Sequence, residues 1–232
     1  MTASVVAAEG VVTWWGPEWA GLALNVILVI ALLAWALHRG MALADLGISS
    51  ERTVMGLRIG GLLAIQVLTI VPLAALARPS LLAQVETPGT TIEMIIVLLR
   101  IIILTAFAEE FIFRGVLFAV WRRATKAREG GWRRFHAWAS PSLATGLFFG
   151  LWHLGPTRDM LATSGDPIRP GAFVAPLLIT ALAGVFVFGP LREWTQGITA
   201  GVLVHSAVNS AVVVAAFALA NWFCPYPGAA GC

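Results

Sequence analysis

The chain has 232 residues, 59% of them hydrophobic and only 12% charged, with a mean hydropathy of +0.85. A water-soluble domain carries about 25% charged residues, so this composition excludes a soluble globular body and makes the bilayer the solvent. The formal charge of +3 and isoelectric point of 9.5 do not indicate a nucleic-acid surface, because the basic residues gather in loops between apolar runs, as membrane topology requires.

The start, MTASVVAAEGVVTWWGPEW, has no basic segment before its first apolar stretch and does not read as a cleaved signal peptide. Spans of about 20 apolar residues are expected at 18–38, 55–77, 92–121, 141–154, 172–189 and 197–222, the third with internal charges and the fourth short. Helix is the default, since an open strand leaves its backbone unpaired in lipid. The expectation is an all-α bundle of about six spans, a single domain over 1–232. The stretch 155–171 reads as a surface loop or partly re-entrant segment.

Arg39, Arg52 and Arg58 flank the first connection, Arg122, Arg123, Lys126, Arg128, Arg133 and Arg134 lie after the third span, and Arg192 follows the fifth. The other side holds only Arg78, Arg158 and Arg169. This asymmetry predicts cytoplasmic arginine-rich loops and both termini outside. Short loops and the preference for Arg point to a bacterial cytoplasmic membrane. Trp14, Trp15, Trp19, Trp35, Trp121, Trp194, Trp222 and Tyr226 fall at span ends as an interfacial belt. Cys224 and Cys232 have no metal-binding spacing and are two thiols that pair only if the tail faces an oxidising compartment.

Ionisable groups within spans cost about 2.5–3.5 kcal/mol each, which makes them functional suspects. They are Arg100, Glu109, Glu110, Arg114, His153 and His205, with Asn209 as a polar companion. In AFAEEFIFRG, Glu110 and Arg114 are i,i+4 and share a face. Glu109 is rotated away by about 100°, which leaves it available for proton chemistry. Phe149 and His153 are i,i+4 in LFFGLWHLGP, where Gly155-Pro156 is expected to end the helix, and His205 and Asn209 are i,i+4 in LVHSAVNS. At 1.5 Å per residue, Glu109 and His153 lie ~18 Å from the arginine-rich end of their spans and His205 ~14 Å. Three ionisable groups on three helices therefore reach one level, as a shared pocket needs.

EEFIFR fits E-E-x-x-x-R, FGLWH fits F-x-x-x-H and HSAVN fits H-x-x-x-N. In this order, over about residues 90–222, the chain resembles the CPBP family of intramembrane proteases. That family contains the CAAX prenyl endopeptidases of the Rce1 type and the bacterial Abi-type proteins. The resemblance implies a helical membrane fold with a catalytic cavity open to the cytosol. It implies that Glu109 and His153 activate water and that His205 and Asn209 stabilise the oxyanion. Glu110 and Arg114 would orient the site, and Phe149 would pack beside it as a substrate contact. The implied substrate is a membrane-associated or lipidated peptide or protein.

A zinc site of Glu and two His is the competing chemistry, but H-E-x-x-H is missing and Asn209 suits an oxyanion hole better. No cofactor is expected. Two other functions compete: a non-catalytic membrane scaffold or bacteriocin-immunity protein, and a proton or solute transporter. The transporter reading calls for repeated halves, and the sequence shows no repeat.

Overall fold

The computed structural model of the protein describes residues 18–78, 82, 87–126, 133–163 and 170–223. Every regular element among them is helical, as expected. α1 is Glu18–His38 and α2 is Ser50–Ala77. α3 is a composite of Thr91–Arg100, a π-helical stretch Ile101–Ala106, Phe107–Glu110, a second π-helical stretch Phe111–Leu117, and Phe118–Lys126. α4 is Arg133–Trp152 and α5 is Leu154–Thr163. α6 runs Pro170–Ala183, Gly184–Phe188 (π-helical) and Gly189–Thr195. α7 runs Thr199–Ala218 and ends in the π-helical Leu219–Phe223.

Local chemistry sets several of these boundaries. Thr90 accepts a hydrogen bond from the Glu93 N–H at 3.2 Å while Glu93 accepts from the Thr90 N–H at 3.1 Å, a reciprocal cap that starts α3. Gln196 adopts a left-handed backbone (φ 53°) and stops α6. α4 ends just ahead of Gly155-Pro156, close to where the sequence expects it, but the pair itself opens the next helix. α4 stops at Trp152, His153 occupies a turn, and the pair sits in the first turn of α5. A proline there blocks no intrahelical hydrogen bond. The start of the expected 155–171 loop is therefore helical, and residues 164–169 lie outside the described residues.

Four helices are long and apolar enough to cross a membrane, Ser50–Ala77, Thr91–Thr125, Pro170–Thr195 and Thr199–Trp222, and Ala23–His38 is a shorter apolar helix. The bundle is polytopic, but the expected span at 141–154 is not among these helices. Its segment of α4 has two faces. Leu143, Leu147, Phe148 and Leu151 are exposed, while Ser142, Thr145 and Phe149 are buried. A helix covered by protein on one side can hold polar groups there, and Thr145 donates to the Pro141 carbonyl at 2.8 Å. Exposed Ile27, Leu62, Ile92 and Phe186 on the other helices would promote aggregation in water but suit contact with hydrocarbon. Trp35, Trp121, Trp194 and Trp222 are exposed, consistent with interfacial anchoring. Residues 1–17, with Trp14 and Trp15, and the tail, with Cys224, Tyr226 and Cys232, lie outside the described residues.

Small residues bring the helices together. A Cβ on Gly60 of α2 would lie 2.6 Å from the Ala200 Cα of α7, and one on Gly146 of α4 would lie 2.6 Å from the Val185 nitrogen of α6. Close backbone approach is a main source of association in lipid, where helices gain little from the hydrophobic effect. Gly60→Val is expected to lower stability by about 1–3 kcal/mol through overpacking, read as a fall in the melting temperature in detergent.

The α1–α2 connection is tied to the end of α3. Asp45 accepts from the Ala42 N–H at 2.9 Å and pairs with Arg123 at 2.8 Å. The Ala42 hydrogen bond, aided by Arg123 and opposed by burial, holds the Asp45 carboxyl below the ordinary aspartate range. A lowered folded value means that this tie stabilises the protein above the unfolded aspartate value and is lost as pH falls through the folded one. Melting temperature is expected to drop below about pH 4, by less in Asp45→Asn than in the parent.

Candidate active site

The central turns of α3, α4, α6 and α7 enclose a polar cluster in an otherwise apolar interior. Glu109, Glu110 and Arg114 are 1%, 0% and 0% exposed, and His205 is 6% exposed. Phe107–Glu110 lies between the two π-helical stretches of α3, a backbone form that recurs at functional sites.

The i,i+4 expectation for Glu110 and Arg114 holds, with Nη1 3.2 Å from Oε1. Three aromatic rings enclose the guanidinium, whose Cζ is 4.4 Å from the Phe149 centroid, 4.8 Å from Phe188 and 5.9 Å from Phe113. Cation–π attraction in so dry a setting partly offsets the desolvation of Arg114. Gly184 lets α6 come this close, since a Cβ there would lie 3.1 Å from Arg114 Nη2.

His205 reaches both glutamates. Its Nε2 is 3.7 Å from Glu109 Oε2 and its Nδ1 is 3.4 Å from Glu110 Oε1. Gly201, one turn earlier on α7, makes room, because a Cβ there would strike the Glu110 carboxylate. Glu109 is free of Arg114 and instead accepts a hydrogen bond from Trp152 Nε1 at 3.2 Å through its other oxygen, Oε1.

His153 joins the cluster through Phe149. The two rings are 4.6 Å apart at 73°, and Phe149 also meets His205 at 5.7 Å, edge to face. His153 Nδ1 is 2.8 Å from the Phe149 carbonyl oxygen. A carbonyl only accepts, so Nδ1 is the nitrogen that donates here, and Nε2 is the one left to face a ligand. Phe149 itself is buried among Arg114, His153 and His205. Asn209 is half-buried one turn beyond His205, and among the described residues no hydrogen bond joins it to the cluster.

Several buried polar atoms have no hydrogen-bond partner among the described residues: Glu109 Oε2, Glu110 Oε2, His205 Nδ1, and Nε and Nη2 of Arg114. Unsatisfied polar atoms are rare in interiors and tend to mark where water or a ligand docks. No group of three His, Cys, Asp or Glu side chains that could hold a metal ion occurs among the described residues.

The model of the family "Type II CAAX prenyl endopeptidase Rce1-like" matches residues 91–211, just over half of the chain and all of this cluster. The chain belongs to the Rce1-like family. It is an integral membrane protein of the CAAX-protease type, a family of intramembrane endopeptidases. No curated protein and no solved structure matches it significantly.

Sequence reasoning missed Trp152, Phe188, Gly184 and Gly201. Trp152 left a usable signal, because an indole N–H inside a membrane needs an acceptor and Trp152 directly precedes His153.

Proposed function

We propose that the protein is a glutamate-type endopeptidase that hydrolyses a peptide bond of a membrane-associated, lipidated peptide without a metal or other cofactor. Membership of the Rce1-like family supports the reaction class. The observation that carries the site is the Glu109 carboxylate, buried, not paired with Arg114, and with Oε2 facing His205 Nε2 at 3.7 Å but making no hydrogen bond among the described residues.

Glu109 Oε2 and His153 Nε2 polarise a water molecule, and Glu109 takes its proton as the oxygen attacks the scissile carbonyl. His205, with Asn209 one turn away, donates to the oxyanion that forms. Donors of this kind are typically worth about 2.7–4 kcal/mol each in a water-poor site. The tetrahedral intermediate then collapses, the C–N bond breaks, and the proton on Glu109 passes to the departing amine. The Glu110–Arg114 pair orients His205, and Phe149 holds the Arg114 guanidinium and the His153 ring in place. Trp152 fixes the Glu109 rotamer, leaving Oε2 toward the water.

The test uses purified protein in detergent with a farnesylated CAAX reporter peptide and its unprenylated twin, with products read by mass spectrometry. Cleavage of the farnesylated peptide at a single bond is the expected result. Cleavage of neither peptide would favour a non-catalytic membrane scaffold.

A further inference from the structure

At the arginine-rich end of the bundle, outside the catalytic cluster, the protein holds a cavity of about 140 Å³. That is far above the ~10–15 Å³ that one water needs. Its walls include Arg52, Arg122, Arg123, Arg192, Asp45 and Gln196. Asp45 pairs with Arg123 at 2.8 Å, and Glu193, beside the cavity, lies 3.5 Å from Arg122. Four guanidinium groups thus meet two carboxylates, which leaves an excess of two positive charges.

Arginines at a membrane surface can serve topology alone, fully hydrated. Arg192 departs from that pattern. It is only 3% exposed. Its Nε donates to the Arg114 carbonyl at 2.8 Å and its Nη2 to the Asp45 carbonyl at 2.9 Å, while buried Nη1 has no acceptor among the described residues. A buried guanidinium with a free N–H, in a cavity of positive excess, favours an anion.

Position narrows the choice. Arg122 and Arg123 follow Glu109 by 13 and 14 residues on α3, or ~20 Å along the axis. A peptide carboxylate three residues from the scissile bond reaches only ~10 Å. Trp121 and Trp194, both exposed, mark this level as the headgroup zone. The arginine asymmetry assigns it to the cytoplasmic leaflet, where anionic lipids gather.

We propose that this cavity binds the phosphate group of an anionic phospholipid, with Arg192 linking the bound lipid to the α3 turn that carries Arg114. The intact protein in mixed micelles with equal phosphatidylglycerol and phosphatidylcholine, read by native mass spectrometry, tests it. Phosphatidylglycerol is expected to be retained about tenfold over phosphatidylcholine, the scale of one to two extra cationic contacts. Arg52→Gln and Arg123→Gln are each expected to reduce that preference at least about threefold, while Arg39→Gln, whose side chain is not part of the cavity wall, keeps it. Equal retention of the two lipids, or a preference unchanged in both cavity variants, overturns the proposal. A parallel melt in lipid-free detergent with inorganic phosphate separates the sources: protection by phosphate without a lipid preference overturns the lipid and assigns a free anion.

Discussion

Glu109→Gln is expected to lower kcat for peptide hydrolysis by about 10²–10⁴-fold, the usual contribution of a positioned general base. The substitution keeps the shape of the side chain and an acceptor for Trp152 Nε1, which is 3.2 Å from Glu109 Oε1. It removes the ability to take a proton from water and deliver it to the departing amine. Packing around the site is unaltered, so KM and melting temperature are expected to stay near those of the parent. Single-turnover cleavage of a reporter peptide, followed in both proteins beside a thermal melt, separates these quantities. A variant with parental kcat would remove Glu109 from the chemistry. A variant that fails to fold would instead assign it to the bundle's stability.

Arg114→Ala is expected to produce the largest loss of stability, about 3–5 kcal/mol, because it leaves an uncompensated carboxylate in the interior. Glu110 is 0% exposed, and Arg114 is the cation that pairs with it at 3.2 Å. The substitution also empties the space between Phe149 and Phe188, whose centroids lie 4.4 and 4.8 Å from the guanidinium. The double variant Glu110→Gln with Arg114→Met removes the stranded charge and refills part of the volume. It is expected to recover more than half of the lost stability in reversible unfolding while remaining poorly active, since His205 then lacks one of its two acidic neighbours. A double variant no more stable than Arg114→Ala would show that ring packing, not charge pairing, dominates at this position.

What could be read in the sequence follows from local helical geometry. The pairing of Glu110 with Arg114 and the release of Glu109 from it rest on i,i+4 spacing, which a helix enforces wherever it packs. The common level of Glu109, His153 and His205 rests on rise per residue, and the structure brings Glu109 and His205 to 3.7 Å. Contacts set by how helices rotate against one another were not legible. Trp152 reaching Glu109, Phe188 covering Arg114, and Gly201 admitting Glu110 each depend on the α3–α4, α3–α6 and α3–α7 packing. The π-helical stretches around Phe107–Glu110 also escaped, because apolar runs such as IIILTA and FIFRGVL read alike for an α-helical and a widened turn. The segment 141–154 falls outside the helices long and apolar enough to cross a membrane for a related reason. Its hydropathy averages an exposed Leu/Phe face with a buried face of Ser142, Thr145 and Gly146, and only the packing separates the two. Asn209 shows the limit of spacing on its own helix: i,i+4 from His205 aligns its face, but does not supply a hydrogen bond to the cluster.

The central claim is that Glu109, with a histidine and no metal, activates the water that cuts the peptide. The most direct measurement is the cleavage rate of the purified protein on a farnesylated CAAX reporter after exhaustive treatment with a strong chelator, and again after zinc is returned. The account predicts an unchanged rate in both states, lowered in each by about 10²–10⁴-fold in Glu109→Gln. A rate that vanishes with the chelator and returns with zinc would contradict it and make Glu109, His153 and His205 candidate metal ligands.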